Sequence, residues 1–395
     1  MKTARLSELS VDGKGIYGIA ASAVERRDDL YTYLRITDIC DDGTLNRSVL
    51  KSVDAPGAAN YLLKPNDIVF ARTGGSTGRN YFYDGSDGEF VYAGFLIKFS
   101  LDPQRVNPKF IKYYCQSEQY KNWVRSFNTG STRGNINAQT FGNMEIPLPE
   151  RLQQDYLVDV LSPIDNKIKV NQQINDNLEQ QAQSYFQRLF VDSADLEWTT
   201  GTISDLGAVV GGSTPSKAKP EYYTESGIAW ITPKDLSINK SKFISHGEND
   251  ITELGLKNSS AAIMPEGTVL FSSRAPIGYI AIAAGEVTTN QGFKSVVPKP
   301  EIGTPFVYFF LKHNLPVIEG MASGSTFKEV SGSTMKGIPA VIPDAETLAR
   351  FNGFCTPVFA QQRILEEQSQ SLAALRDNLL PKLISGEIDV SDIQL

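Results

Sequence analysis

Apolar and polar positions along this chain alternate between two regimes, and the pair of regimes occurs twice in the same order. The first regime consists of short runs of β-branched and aromatic residues punctuated by Gly, Asn and Asp, the pattern of brief strands joined by tight turns. Ile68-Val69-Phe70, Val269-Leu270-Phe271 and Gly278 to Ala283 are such strands. A helix is predicted after Pro108, from Phe110 to Ser117, and another after Pro305, from Phe306 to Asn314. A strand then ends at Pro149 in one half and at Pro343 in the other. The second regime is long, polar and free of breakers: beyond Pro163 the chain meets neither Pro nor Gly before Phe190. Ser162-Pro163 and Thr356-Pro357 each read as an N-cap followed by proline at the first helical position. Shorter helical segments are predicted ahead of them, from Leu152 to Leu161 and from Leu348 to Phe354. At ~1.5 Å per residue the first long helix would be roughly 40 Å in length.

The apolar stripe of these helices is narrow. On the first it runs Ile164, Ile168, Asn171, Asn175, Leu178, Ala182, Tyr185, Leu189, and on the second Val358, Gln362, Leu365, Ser369, Leu372, Arg376, Leu379, Leu383. Polar residues inside such a seam bury little apolar surface but fix register, because they accept few partners. Neither helix has a stripe wide enough to face a core alone. An antiparallel pairing of the two, holding two globular units apart, is therefore expected; the alternative is that each packs on its own domain.

The order of elements repeats because the sequence does. Gly130-Ser131-Thr132 recurs as Gly324-Ser325-Thr326, an offset of 194 that also relates Ile136 to Val330, Met144 to Ile338 and Pro149 to Pro343. Upstream, Leu6-Ser7-Glu8-Leu9 matches Ile203-Ser204-Asp205-Leu206 at 197, Gly94-Phe95 matches Gly292-Phe293 at 198, and Lys64 to Asp67 matches Met264 to Gly267 at 200. A period near 200 is too long for a solenoid and marks a duplicated domain, with drifts of a few residues at loops. The expected division is a first domain over 1–149, a helical segment over 150–192, a second domain over 193–343, a second helical segment over 344–388 and a tail over 389–395. The fold class is α+β, with a coiled-coil spacer and pseudo-twofold symmetry.

Composition narrows the class. With 41% hydrophobic and 21% charged residues the chain is globular, and its longest apolar run, near Tyr279 to Ala284, cannot span a bilayer. Met1 to Ser10 lacks the apolar core of a signal peptide, so a cytoplasmic location is expected. Three scattered cysteines and two histidines supply neither a disulfide framework nor a metal site. The net charge of −7 counts against nucleic acid as a partner without excluding it, since binding depends on one face and not on the sum.

Catalytic motifs are missing. No phosphate-binding P-loop, no dinucleotide fingerprint, no nucleophile elbow and no Asn-Pro-Pro-aromatic tetrad of the adenine-methyltransferase kind occurs. Gly74-Gly75-Ser76-Thr77-Gly78 reads as a hairpin loop. What remains is a set of loop residues suited to nucleic acid. Arg72-Thr73 and Ser273-Arg274 follow equivalent strands, and Ser131-Thr132-Arg133 pairs with Ser325-Thr326 and Lys328. Lys217, Lys219, Lys234, Gln291 and Lys294 belong to loops of the second half. Arginine can bond guanine through two hydrogen bonds, and small hydroxyls reach bases or phosphates. Each residue taken singly is equally a solvated loop residue.

Several of these runs also resemble a known family. Gly211-Gly212-Ser213-Thr214-Pro215, Ala229-Trp230-Ile231-Thr232-Pro233-Lys234-Asp235-Leu236, Phe271-Ser272-Ser273-Arg274-Ala275-Pro276-Ile277-Gly278 and Thr289-Asn290-Gln291-Gly292-Phe293-Lys294 look like target recognition domains of specificity subunits of type I restriction-modification enzymes. Ile164-Asp165-Asn166-Lys167-Ile168 is similar to that family's central repeat, and Leu375 to Ile388 to its C-terminal repeat. The resemblance is weaker over Met1 to Pro149. It implies a non-catalytic subunit whose two recognition domains contact the halves of a split, asymmetric site on double-stranded DNA. It implies that the paired helices, through Ile164, Ile168, Leu178, Leu189, Val358, Leu365, Leu372 and Leu379, set the spacer and dock partners. The partners would be two modification subunits, which carry S-adenosylmethionine and methylate adenine N6, and a motor-nuclease subunit can join them. No cofactor is expected in this chain. A self-contained DNA-modifying enzyme and a protein-interaction scaffold without a DNA role stand as the rival readings.

Overall fold

Short runs such as Asp67–Ala71, buried at every position, pair into small sheets covered on both faces. The computed structural model describes residues 2–127, 134–324 and 328–388. It divides into two units, Met1–Asn166 with Leu372–Leu395, and Lys167–Ser371.

The first unit contains β1 (Lys2–Arg5), β2 (Ile16–Tyr17), β3 (Ala23–Val24), β4 (Tyr31–Leu34), β5 (Lys51–Val53), β6 (Asp67–Ala71), β7 (Asn80–Tyr83), β8 (Phe90–Tyr92), β9 (Leu96–Ser100) and β10 (Glu145–Leu148). One sheet has the order β2-β9-β6-β7, a second β3-β5-β4-β8, and β1 pairs with β10. Helices α1 (Pro108–Tyr114), α2 (Glu118–Arg125) and α3 (Ala138–Gly142) come between β9 and β10, and α4 (Arg151–Gln187) follows. The first expected helix is thus two: Ser117, its predicted last residue, caps α2 by accepting from Tyr120 N–H. Phe70, Phe99, Phe110 and Phe141 fill the core between sheet and helices.

The second unit repeats this plan with β11 (Thr199–Thr202), α5 (Ile203–Leu206), β12 (Gly207–Gly211), β13 (Tyr223–Thr224), β14 (Ile228–Ile231), α6 (Pro233–Ile238), β15 (Phe243–Ile244), β16 (Asn249–Ile251), α7 (Glu253–Lys257), β17 (Val269–Ser273), β18 (Ile277–Ala283), β19 (Thr288–Thr289), β20 (Lys294–Pro298) and β21 (Pro339–Ile342). Its sheets run β12-β20-β17-β18-β15 and β13-β16-β14-β19, and β11 pairs with β21. Strand for strand this is the order of the first unit with β15 added. Even the parallel pairs correspond, β4 with β8 and β14 with β19. Helices α8 (Thr304–His313), α9 (Leu315–Gly320) and α10 (Gly332–Lys336) precede β21, and α11 (Ala345–Ser385) follows it. Phe271, Phe306, Phe309 and Phe351 are buried in its core.

Hydrogen bonds fix the correspondence more tightly than residue identity does. Arg5 N–H donates to Glu8 Oε2 at 2.8 Å, and Thr202 N–H donates to Asp205 Oδ2 at 2.8 Å. Leu6 N–H donates to the Met144 carbonyl at 3.1 Å, as Ile203 N–H does to Ile338 at 3.0 Å. Two expected matches are one residue out of register. Asn66 N–H bonds the Tyr83 carbonyl and Gly267 N–H that of Ala283, so Asn66 corresponds to Gly267 and the offset is 201, not 200. These two residues share a left-handed backbone, φ 75° and 82°, which is what the turn requires. Likewise Phe95, not Gly94, corresponds to Gly292, because their carbonyls accept the equivalent bonds from Arg72 and Ser273. Gly267→Ala is expected to lower the stability of the second unit by about 1–2 kcal/mol in urea titrations. A Cβ there would also lie 2.9 Å from Thr304 Oγ1. Gly267→Asn should cost less than alanine, since asparagine carries the same turn in the first unit.

The long helices begin earlier than their proline signals indicate. α4 and α11 run unbroken through Pro163 and Pro357, so Ser162 and Thr356 are not N-caps and no separate short helices precede them. Each proline removes one intrahelical bond. Pro163 and Asp159, whose carbonyl loses its donor, are both exposed, which leaves that oxygen to water, while Leu157 and Leu161 hold the turn to the core. Inside the second unit α4 and α11 face each other. Asn171 Nδ2 donates to Gln368 Oε1 at 2.8 Å and Ser369 Oγ at 3.2 Å. Asn175 and Gln362 exchange side-chain to carbonyl bonds at 3.3 and 3.1 Å. Rising numbers on α4 meet falling numbers on α11, so this stretch is antiparallel. Ile164, Ile168, Leu178, Leu189, Val358, Leu365, Leu372 and Leu379 are all buried or half-buried.

Candidate nucleic-acid interface

In each unit an inner strand of one sheet, β6 in the first and β17 in the second, ends at a crossing of three segments. Arg72, just past β6, donates its N–H to the Phe95 carbonyl at 3.0 Å and accepts from Ile136 N–H at 2.9 Å. Ser273, the end of β17, donates to the Gly292 carbonyl at 2.7 Å and accepts from Val330 N–H at 3.0 Å. The next residues also correspond: Thr73 bridges Asn135, and Arg274 bridges Glu329. The two expected arginines therefore occupy adjacent positions of one motif, not the same position.

The side chains at this crossing differ completely. In the first unit the Arg72 guanidinium lies 5.1 Å from the Tyr17 ring centre, a cation–π geometry. Its buried Nε finds no hydrogen-bond partner among the described residues. Tyr17 is 40% exposed, so the arginine lies against one solvent-open aromatic face, while Phe95, whose backbone carbonyl accepts from Arg72, has a side chain 59% exposed. Thr77, in the hairpin loop between β6 and β7, holds the neighbouring segment by donating to the Gly134 carbonyl at 2.9 Å.

In the second unit Arg274 Nη1 lies 3.4 Å from Glu329 Oε2, and Lys294 Nζ lies 3.5 Å from the other carboxylate oxygen. Lys294 also reaches the Gln291 carbonyl at 3.4 Å, and the Gln291 side chain meets the Thr214 hydroxyl. Gln291, Lys294 and Arg274 are thus brought together, and Lys328 is exposed next to Glu329 in sequence. Ser273 is a correction: its side chain is fully buried and its hydroxyl donates to the Gly292 carbonyl at 3.1 Å, so it cannot meet a ligand.

The remaining candidates stand apart from that cluster. Lys217 is exposed, and Lys219 lies over the Tyr222 ring at 5.2 Å. Thr232 to Asp235 form a capping box, Thr232 N–H donating to Asp235 Oδ2 at 2.7 Å, so that run starts α6 and is not a free polar loop. Lys234 pairs with Glu248 at 2.5 Å, and this hydrogen bond raises its amine above the ordinary value. Ser131, Thr132, Arg133, Ser325 and Thr326 lie outside the described residues. Tyr17, Phe95 and Glu329 were not expected from sequence. Nothing local announces Glu329 as the partner of two cations 55 and 35 residues away. Among the described residues no group of His, Cys, Asp or Glu could hold a metal, and no helix is long and apolar enough to cross a membrane.

Comparison with known proteins decides the family. The profile described as Type I restriction modification DNA specificity domain matches twice, over residues 31–180 and 195–382. The chain belongs to this family. The specificity subunit of the type I restriction enzyme MjaIX from Methanocaldococcus jannaschii is 43% identical over 152 residues, 38% of this chain and only 35% of that subunit. The HindI specificity subunit of Haemophilus influenzae is 22% identical over 447 aligned positions, covering 92% of this chain and 97% of that one. In fold, the chain is similar to the S subunit of a type I restriction-modification system from M. genitalium, with a TM-score of 0.56, 18% identity, and coverage of 97% and 95%. The two matched stretches of the specificity domain agree with the strand orders, which repeat across the same two halves.

Proposed function

We propose that this chain is the DNA-reading subunit of a type I restriction-modification enzyme and that each recognition domain, over 1–149 and 193–343, addresses one half of a split, asymmetric site. The observation that carries this is the crossing described above: one hydrogen-bonded frame presents Arg72 against the Tyr17 ring in one unit and Arg274, Lys294 and Gln291 in the other. Identical frames with different polar groups suit two half-sites of different sequence, since bases are read by side chains and register is set by the frame. The pairing of α4 with α11 would act as a pseudo-twofold coiled-coil spacer whose length sets the gap between half-sites. Partner modification subunits, two of them matched to the duplication, would dock on these helices and bring S-adenosylmethionine and the adenine-N6 chemistry; a restriction subunit would add cleavage. The chain itself contributes no catalytic group to this scheme. Its net charge of −7 is compatible with DNA binding when partners supply much of the phosphate contact.

Arg72→Ala and Arg274→Ala, made separately in the full chain with its modification subunits, test this reading. Each is expected to relax base preference in one half of the methylated site only, by about tenfold or more, as a lost bidentate contact costs about 1–3 kcal/mol. Thermal unfolding should be unchanged for Arg274→Ala, because its ion pair is about one-third exposed. Loss of preference in the same half by both variants, or in neither, would contradict the assignment.

A further inference from the structure

Arg274 and Lys294 share one acid, Glu329, and the geometry points to a role for that acid. We propose that Glu329 is a specificity-determining residue: it occupies these two cations in the free chain and must be displaced by DNA, so that phosphates in general do not capture them. This role presupposes the DNA-reading function proposed above.

The chain contains its own control for whether the fold needs these charges. The hydrogen-bonded frame places Thr73 where the second unit has Arg274, and Asn135 where it has Glu329. By the same register Ile97 stands for Lys294, Gly94 for Gln291 and Gly134 for Lys328. The first unit thus builds the same crossing with no charge at any of the five positions. The crossing there closes on backbone pairing and the Thr77 hydroxyl without these charges, so the charges serve something other than folding.

The geometry also fits an exchangeable pair and not a structural one. Glu329 is held by its backbone, which pairs with Ser323 through bonds of 2.9 and 3.1 Å, while its side chain remains 37% exposed. Its contacts to the two cations, 3.4 and 3.5 Å, are at the long end for charged hydrogen bonds. The Arg274–Glu329 pair, with both side chains about one-third exposed, holds weakly and yields to a better partner, whereas Lys294 is the more enclosed of the two cations. With Glu329 beside them the two cations present one net positive charge instead of two, which weakens the attraction for an anionic phosphate more than for a neutral base edge read through directional hydrogen bonds. The acid therefore taxes phosphate binding more than base reading, which is a specificity device of the repulsive kind.

The test uses the full chain with its modification subunits and two probes, a random-sequence duplex and a duplex carrying the site found by methylation mapping. Glu329→Gln is expected to tighten the random duplex about fivefold or more at low salt and to steepen its salt dependence by roughly one phosphate equivalent. Binding of the site-bearing duplex should change by much less, so the ratio between the two falls. The double variant Arg274→Thr/Glu329→Asn transplants the first unit's residues; it should fold as the parent does and lose the extra affinity for random DNA. Unchanged affinity of Glu329→Gln for both probes, or a loss for the random duplex, overturns the role of Glu329. A parent complex that does not distinguish the two probes overturns the DNA-reading function itself. If Glu329→Gln unfolds, Glu329→Asn, which carries the residue that the first unit has at this position, replaces it in the same comparison.

Discussion

Replacing Glu179 by alanine is expected to destabilise the second unit by about 3–5 kcal/mol, the range for leaving a buried charge without its partner. Glu179, on α4, places one carboxylate oxygen 2.5 Å from Lys242 Nζ and the other 2.7 Å from Lys312 Nζ. Lys242 is 8% exposed and lies 3.8 Å from the Phe359 ring centre. Its amine also donates to Gln362 Oε1 on α11, at 2.6 Å. Glu366, one turn further along α11, accepts the backbone N–H of Lys242 at 2.8 Å and of Phe243 at 3.1 Å. One lysine thus ties a domain loop to both helices, and truncating its acid removes the counter-charge for two cations. Urea titration followed by tryptophan fluorescence would measure the loss. The double variant Glu179→Ala/Lys242→Met should recover much of it, as an apolar chain over Phe359 leaves less charge stranded; no recovery would mean that the ion pair is not what Glu179 contributes.

The same network gives acid sensitivity a sign. Burial alone would raise the Glu179 carboxyl, but Lys242 and Lys312 outweigh it and hold the group below the ordinary carboxylate range. Asp165 behaves likewise in the first unit, where burial is outweighed by Lys112 at 2.5 Å and by Arg376. A depressed carboxyl adds stability that is present above its unfolded value and lost as pH falls through the folded one. Glu366 opposes this: burial raises its carboxyl, so its contribution weakens as pH rises through the same region. Both units should therefore lose their Asp165 and Glu179 contributions below about pH 4, the ordinary carboxylate range. Glu179→Gln should flatten that dependence in the second unit alone.

Ending the chain at Ser371 is expected to unfold the first unit while the second retains a cooperative transition. The stretch beyond Ser371 belongs to the first unit, although all of that unit's other residues precede position 167. Leu380 is 5% exposed in the first unit's core, with Leu379, Leu383 and Ile384 packed around the same cluster. Arg376 supplies a cation 3.2 Å from Asp165. Loss of one such leucine costs about 2–5 kcal/mol, so removing several exceeds the total stability of an ordinary domain, about 5–15 kcal/mol. Two transitions in the intact chain and one in the truncated form, resolved by calorimetry, would be the expected record. An unaltered first transition would mean that the C-terminal stretch is dispensable to that core.

Much of this arrangement is readable from residues alone, and the failures have physical causes. Breaker-free polar stretches and narrow seams announce α4 and α11, because periodicity is a local property. The repeat is also visible, but identical pairs such as Gly94-Phe95 and Gly292-Phe293 misplace the register by one; hydrogen bonding is set by backbone turns, where Asn66 and Gly267 can substitute for each other. The proline signals at 163 and 357 mislead because tertiary packing, of Leu157 and Leu161 around the first and of Phe351, Cys355 and Phe359 around the second, outweighs one missing bond. Ser273 looks like an available hydroxyl until the sheet closes over it. Glu329 and the Glu179–Lys242 pair depend on contacts between distant segments, which no local pattern reports.

The most direct test of the central claim is methylation. The chain would be expressed with its neighbouring modification subunit, and modified adenines mapped across a genome at single-base resolution. A single split motif, with an adenine methylated in each half and no methylation when this chain is omitted, is the predicted result. A stable complex that methylates no defined motif, or the same motif whether or not this chain is present, would contradict it.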